Sequence, residues 1–119
     1  MNEKILIAED DLFLRKLVGR CLADKGFSIL HAADAETARD FAISDRPGLI
    51  LSDYNLGSLD GLWLATELSK MGETAQIPLI IISGGGVLRR QMPSNVKGVL
   101  PKPFSLADLT EAIFKVLST

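Results

Sequence analysis

Gly48-Leu49-Ile50-Leu51-Ser52-Asp53 is an apolar run that does not alternate with polar residues and that ends in a carboxylate. A strand with one wet face alternates, whereas a run apolar throughout fits a parallel strand covered by helices on both faces. Pro47-Gly48 opens it as a turn would. The same rhythm recurs on either side. Ile5 to Ala8 and Phe27 to Ala32 precede the run, and Ile77 to Ile82 and Val96 to Leu100 follow it. Segments of helical period lie between and after them: Leu12 to Lys25, Ala35 to Ser44, Gly61 to Met71 and Ser105 to Leu117. Five strands alternating with helices predict an α/β fold, a doubly wound parallel sheet in a three-layer sandwich, with residues 1–119 as one domain.

The helical stripes name the expected core. Leu14, Leu17, Val18, Cys21 and Leu22 share one face, Leu62, Ala65 and Leu68 another, and Leu106, Leu109, Ile113, Val116 and Leu117 a third. Cys21 reads as a small core residue, and a lone cysteine excludes an internal disulfide. The one histidine, His31, falls in a predicted strand, so no thiol–imidazole pair is suggested. Gly26 closes the first helix, Asp34 caps the second, and Pro78 begins the fourth strand, where a missing N–H is tolerable. Between Gly84 and Ser94 the glycine run predicts a short or degraded fourth helix.

Thirteen basic against fifteen acidic side chains, a net charge of -2, provide no electrostatic reason for nucleic acid or an anionic membrane as partner. The first apolar stretch, Ile5 to Ala8, is too short for a signal peptide, and no later run could span a bilayer. A cytoplasmic protein is expected.

Parallel strands bring their carboxyl ends to one edge, where functional groups collect beside the topological switch point. The first strand ends in Glu9-Asp10-Asp11, the third in Asp53 and the fourth in Ser83, and Lys102-Pro103 follows the fifth. Each has an ordinary use taken singly: an acidic first helical turn, a turn aspartate, a loop serine, a solvated lysine. Their joint placement argues for a site. Glu9, Asp10 and Asp53 in one pocket would repel one another unless a cation neutralises them, and Mg2+, which keeps several waters, suits a shallow carboxylate site. With the Lys102 ammonium and the Ser83 hydroxyl, such a pocket can cradle a transferring phosphoryl group, and a carboxylate can be its acceptor.

Ile5-Leu6-Ile7-Ala8-Glu9-Asp10-Asp11 with Arg15, Leu49 to Leu56 followed by Asp60-Gly61, Ile80-Ile81-Ile82-Ser83, and Lys102-Pro103-Phe104 together resemble the receiver domains of two-component response regulators. The match runs over essentially the whole chain and implies a flavodoxin-like, CheY-like fold. Arg15, five positions after Asp10, sets the register of the acid pair. By this resemblance Asp53 is the phospho-acceptor. Asp10, Asp53 and the backbone carbonyl of Asn55 ligate Mg2+, with Glu9 acting through a water. Ser83, the Gly84 N–H and Lys102 hold the phosphoryl group, and Lys102-Pro103 is a cis peptide.

The implied donor is a phosphohistidine on a sensor histidine kinase or histidine phosphotransfer protein. The implied outcome is a change in binding to a downstream protein effector. The chain would be no enzyme on other substrates, but would assist its own phosphorylation and dephosphorylation. It could be a stand-alone regulator or part of a larger one; no DNA-binding or catalytic effector is expected within these residues.

Three positions depart from the family pattern. Val99 stands where a Tyr or Phe usually sits, three residues before the lysine, and Gly57 replaces the usual proline four residues after the acceptor. The segment from Ser83 to Lys102 is short. Gly84-Gly85-Gly86 suggests an open pocket and a short-lived phosphoaspartate, with output through loop ordering in place of an aromatic rotamer. Trp63 is read as either a packed rim residue or a docking spot.

The rival function is a pseudo-receiver that binds partners without phosphorylation, for which the full set of site residues would be superfluous. A flavin mononucleotide carrier is rejected, because Glu9-Asp10-Asp11 would repel its phosphate.

Overall fold

The computed structural model describes residues 3–85 and 92–118. Its elements run β1 (Lys4–Ala8), α1 (Leu12–Asp24), β2 (Ser28–Ala32), α2 (Ala35–Asp45), β3 (Leu49–Asp53), β4 (Asn55–Leu56), β5 (Leu59–Asp60), α3 (Gly61–Ser69), β6 (Leu79–Ser83), β7 (Val96–Pro101) and α4 (Leu106–Leu117). The five expected strands and the helices expected at Leu12 to Lys25, Ala35 to Ser44, Gly61 to Met71 and Ser105 to Leu117 are present within a residue or two at each end. The main sheet has five strands in the order β2-β1-β3-β6-β7, and every pairing in it is parallel. The chain winds outward from β1 in one direction and then from β3 in the other, so the switch point lies between those two strands.

The unbroken apolar runs serve two cores at once. Leu6, Ala8, Ile50 and Ile81 point to one side, where Ala38, Ala42, Leu64 and Leu68 of α2 and α3 cover them. Their neighbours Ile5, Ile7, Leu49, Leu51, Ile80 and Ile82 point to the other, against Val18, Leu22, Leu109 and Ile113 of α1 and α4. Period-two alternation in a strand buried on both faces requires this division.

Helix boundaries follow the capping chemistry. Asp11, Asp34, Asp60 and Ser105 each accept a backbone N–H three residues on, and Ser105 forms a reciprocal box with Asp108. Gly26 takes φ +100, which ends α1 as expected.

The cap on α2 carries a prediction. Two bonds from Thr37, the stronger from its backbone N–H, hold the Asp34 carboxyl below the usual carboxylate range. A lowered folded-state pKa stabilises above the unfolded value, and that stabilisation is lost as pH falls through the folded one. Asp34→Ala should therefore unfold about 0.5–2 kcal/mol more easily in urea at neutral pH. The gap from wild type should close in strong acid.

The stripes need correction. Leu17 is 46% exposed and Leu106 42%, while Cys21 is only half-buried. The sheet is touched by a narrower line, Val18, Gly19 and Leu22, because α1 settles on β2 at Gly19, where an added Cβ would lie 2.6 Å from the His31 ring. The outer edge of the predicted face is left over. In α3 the buried residues are Gly61, Leu64, Ala65 and Leu68, with Leu62 half-buried. Trp63 is also half-buried, packed against the core with the Arg39 guanidinium 5.5 Å above its ring, the packed-rim reading.

The small antiparallel hairpin β4–β5 was not expected. Its signal was available: Gly57-Ser58 between two leucines is a two-residue turn, and Gly57 takes φ +88. The expected fourth helix falls largely on residues 86–91, outside those described.

Candidate functional site

The carboxyl ends of β1, β3, β6 and β7 bring the predicted residues to one rim. Glu9 follows β1 directly, its N–H donating to Ala32 O at 3.0 Å. Asp53 is the last residue of β3, and Tyr54 N donates to Ile82 O at 2.8 Å, binding this end of β3 to β6. Lys102 N donates to Ser83 O at 2.9 Å, joining the serine and lysine loops. The Lys102-Pro103 peptide is cis, as expected.

Ligand oxygens of Glu9, Asp10 and Asp53 all lie within 4.8 Å of one another. Glu9 and Asp53 are 4% and 6% exposed, whereas Asp10 faces solvent at the mouth. Lys102 Nζ donates to Asp53 Oδ2 at 3.0 Å.

The electrostatics match this crowding. Burial, then the Asp53 charge and a hydrogen bond with Asp10, pushes the Glu9 carboxyl up to about 7, against the opposing Asp11 N–H and Lys102 charge. For Lys102 burial lowers the pKa, but the Asp53 hydrogen bond and the charges of Asp53, Glu9 and Asp10 outweigh it and the result is a raised value. Three carboxylates against one ammonium leave the pocket short of positive charge. The donor set, all oxygen and close together, fits a hard divalent ion that keeps part of its water.

The remaining site residues divide. Asn55 N donates to Asp53 Oδ1 at 3.4 Å, so the hairpin helps to aim the carboxylate. Ser83 is buried, and its hydroxyl donates to Gly85 O at 2.8 Å while accepting from Gly85 N at 3.2 Å. It is therefore engaged in its own loop and would have to turn to reach a phosphoryl oxygen. Gly84 is exposed, and an added Cβ there or at Gly85 would meet nothing within 4 Å among the described residues. Val99 lies half-buried on β7 with no ring to swing.

Arg15 and Gly61, named from the sequence only as parts of the family pattern, make contacts at the site that the sequence reading did not anticipate. Gly61 begins α3 directly behind Asp53; its N–H donates to Tyr54 O at 2.8 Å, and a Cβ would stand 2.9 Å from Asp53 O. Arg15 Nη1 donates to Glu9 O at 2.7 Å. Neither contact has a local sequence signature, since each depends on how a helix lies against a strand end.

Beside Lys102 a groove of about 560 Å³ runs between α1 and the loop into α4, lined by Leu14, Leu17, Phe104, Leu106 and Gly84. Phe13, at the start of α1, is 78% exposed. No helix among the described residues is long and apolar enough to cross a membrane.

The family model described as response regulator receiver domain matches residues 5–114. Sporulation initiation phosphotransferase F of Bacillus subtilis is 30% identical over 120 aligned residues, covering 98% of this chain and 95% of that protein. The response regulator MprA of Mycolicibacterium vanbaalenii is also 30% identical, over 92% of this chain, but the chain spans only 48% of its length. Among solved structures, the receiver domain of the sensor histidine kinase PA1611 of Pseudomonas aeruginosa, with magnesium in its active-site cleft, superposes with a TM-score of 0.88 at 23% identity, with both chains fully covered. The chemotaxis response regulator CheY4 of Vibrio cholerae gives 0.88 at 23% identity, covering 98% of this chain and 99% of that one.

Proposed function

The chain belongs to the response regulator receiver domain family of two-component signalling, and on that premise we propose that Asp53 accepts a phosphoryl group in a Mg2+-dependent reaction. The observation that carries the reading is the joint geometry of the rim: three acid oxygens within 4.8 Å of one another, with an ammonium 3.0 Å from the central one. Asp10, Asp53 and the Asn55 carbonyl would hold the ion, Glu9 through a water; bound there, Mg2+ neutralises charge on the phosphoryl oxygens. Lys102 is within reach of an oxygen on Asp53, and Ser83 and the Gly84 N–H stand on the adjoining loop.

In the transfer, an Asp53 oxygen forms a bond to phosphorus as the N–P bond of a donor phosphohistidine breaks, and the imidazole leaves. Water later cleaves the acyl phosphate, returning the carboxylate and releasing inorganic phosphate. The domain supplies position and charge, and the donor supplies the driving force. It acts on itself and is not an enzyme for other substrates. A sensor histidine kinase or histidine phosphotransfer protein is the proposed donor. The apolar groove that begins at Lys102 and the exposed Phe13 favour a protein donor over a small anion. Phosphorylation would then alter binding to a downstream protein effector.

The test is intact mass after incubation with acetyl phosphate and Mg2+. One phosphate should be added, and none when EDTA replaces the metal. Failure to label under any donor would favour the phosphorylation-independent binding module. Because no described residue crowds Gly84 or Gly85, we expect ready water access and decay of the label within minutes. Gly84→Leu should prolong it; an unchanged decay would remove the open-loop explanation.

A further inference from the structure

Arg15 carries a contact that the phosphoryl-transfer chemistry does not use. It lies one turn into α1 and reaches back six residues to donate from Nη1 to the backbone carbonyl of Glu9 at 2.7 Å, in a part-buried setting. That distance is typical of a charge-assisted bond. Its Nε is buried with no partner among the described residues. An arginine with a vacant donor gains by swinging out to water, so the carbonyl contact holds the side chain where it is.

The choice of acceptor is informative. Among the described residues Arg15 forms no ion pair, and its described side-chain bond goes to the main chain of a residue whose own carboxyl belongs to the acid cluster. The loop is pinned in a short series of bonds: Glu9 N to Ala32 O, Arg15 to Glu9 O, Asp11 N to Glu9 Oε2 and Leu14 N to Asp11 Oδ1. Asp10 sits on this frame, between two tethered residues.

We propose that Arg15 is a positioning residue of the acid pocket, holding the main chain of Glu9 so that Glu9 and Asp10 are set to receive a divalent cation. This rests on the reading of the pocket as a Mg2+ site. Charge and position predict opposite signs for the same substitution. A positive charge near a cation site opposes binding, so if Arg15 acted only through its charge, its removal would tighten Mg2+. If it holds the frame, its removal loosens Mg2+ despite the relief of repulsion.

The experiment is Mg2+ titration by calorimetry at neutral pH and fixed ionic strength, with melting curves to establish the folded fraction. Arg15→Ala should weaken Mg2+ binding about tenfold or more. Arg15→Lys, which keeps a donor on a flexible stem, should recover part of the loss. Arg15→Gln, a donor without charge, should fall between wild type and Ala. Lys16→Ala removes the same charge one residue along α1 without touching the Glu9 carbonyl, and should leave binding unchanged or slightly tighter. Equal or tighter binding by folded Arg15→Ala overturns the proposal. So does a loss of equal size in Lys16→Ala. If Arg15→Ala does not fold, the order of wild type, Lys and Gln decides in the same way. Absence of Mg2+ binding by wild type is a separate result, and it overturns the metal reading together with the inference built on it.

Discussion

Asp53→Asn is expected to gain no phosphate from acetyl phosphate or from a phosphohistidine protein, under conditions that label the wild type. The amide has nearly the size of the carboxylate, so β3 and its pairing with β6 should survive the change. What disappears is the nucleophile: a neutral amide oxygen cannot form a stable acyl phosphate, and removal of a covalent nucleophile typically eliminates almost all of the rate. Two further consequences separate this variant from a trivial loss of fold. The Lys102 ammonium loses its anionic partner, and the pocket loses one of its three carboxyl groups. Mg2+ affinity should therefore fall while the far-ultraviolet dichroism stays that of the wild type. Phosphate incorporation that persists in Asp53→Asn would place the acceptor elsewhere and remove the proposed function.

Gly61→Val should damage both the fold and the site. Gly61 is buried at the first position of α3, and a Cβ there would stand 2.9 Å from Asp53 O, 3.0 Å from Ile81 Cδ1 and 3.2 Å from Ser52 Oγ. The first of these is backbone and cannot step aside as a flexible side chain would. The Ser52 hydroxyl donates to the same Asp53 carbonyl at 2.9 Å, so the intrusion also reaches the bond that supports it. Overfilling a packed interior costs about 1–3 kcal/mol. Valine, with two methyls beyond the Cβ, belongs at the upper end of that range, a large share of the roughly 5–15 kcal/mol that holds a domain folded. Because the atom displaced belongs to Asp53, the proposed phospho-acceptor, labelling should slow even in the fraction that remains folded. Chemical denaturation and a labelling time course on the same sample would read the two effects separately. A variant as stable and as readily labelled as wild type would mean that α3 can retreat from β3, contrary to the close approach described.

The elements were legible because their signals are local. Leu49 to Leu51 and Ile80 to Ile82 are apolar at every position, and that pattern belongs to strands covered twice. Asp11, Asp34, Asp60 and Ser105 stand at the N-caps with their acceptors in place, so each helix start could be read from a single residue and its distance to the next apolar stripe. Less legible was how far each stripe is buried. Leu17 and Leu106 keep perfect helical spacing yet remain 46% and 42% exposed, because α1 and α4 present more apolar surface than the sheet can cover. The surplus forms the wall of the groove beside Lys102.

For the site, the order of residues along the chain was enough to name Glu9, Asp10, Asp53, Ser83 and Lys102, since parallel strands must end at one rim and those residues stand at or just after the strand ends, whereas Asn55 and Gly84 were named only through the family resemblance. Strand pairing alone could not say which acid would be buried, which exposed, or where the Ser83 hydroxyl would turn. Those outcomes depend on neighbours far away in sequence: Ala32 beneath Glu9, and Lys102 against Asp53 from 49 positions on. Arg15 and Gly61 belong to the same class. Periodicity and capping act over a few residues and are written into the chain directly. The contact of a guanidinium with a strand-end carbonyl, or of a helix with the backbone of Asp53, exists only once two elements have been brought together, and the tertiary structure alone decides it.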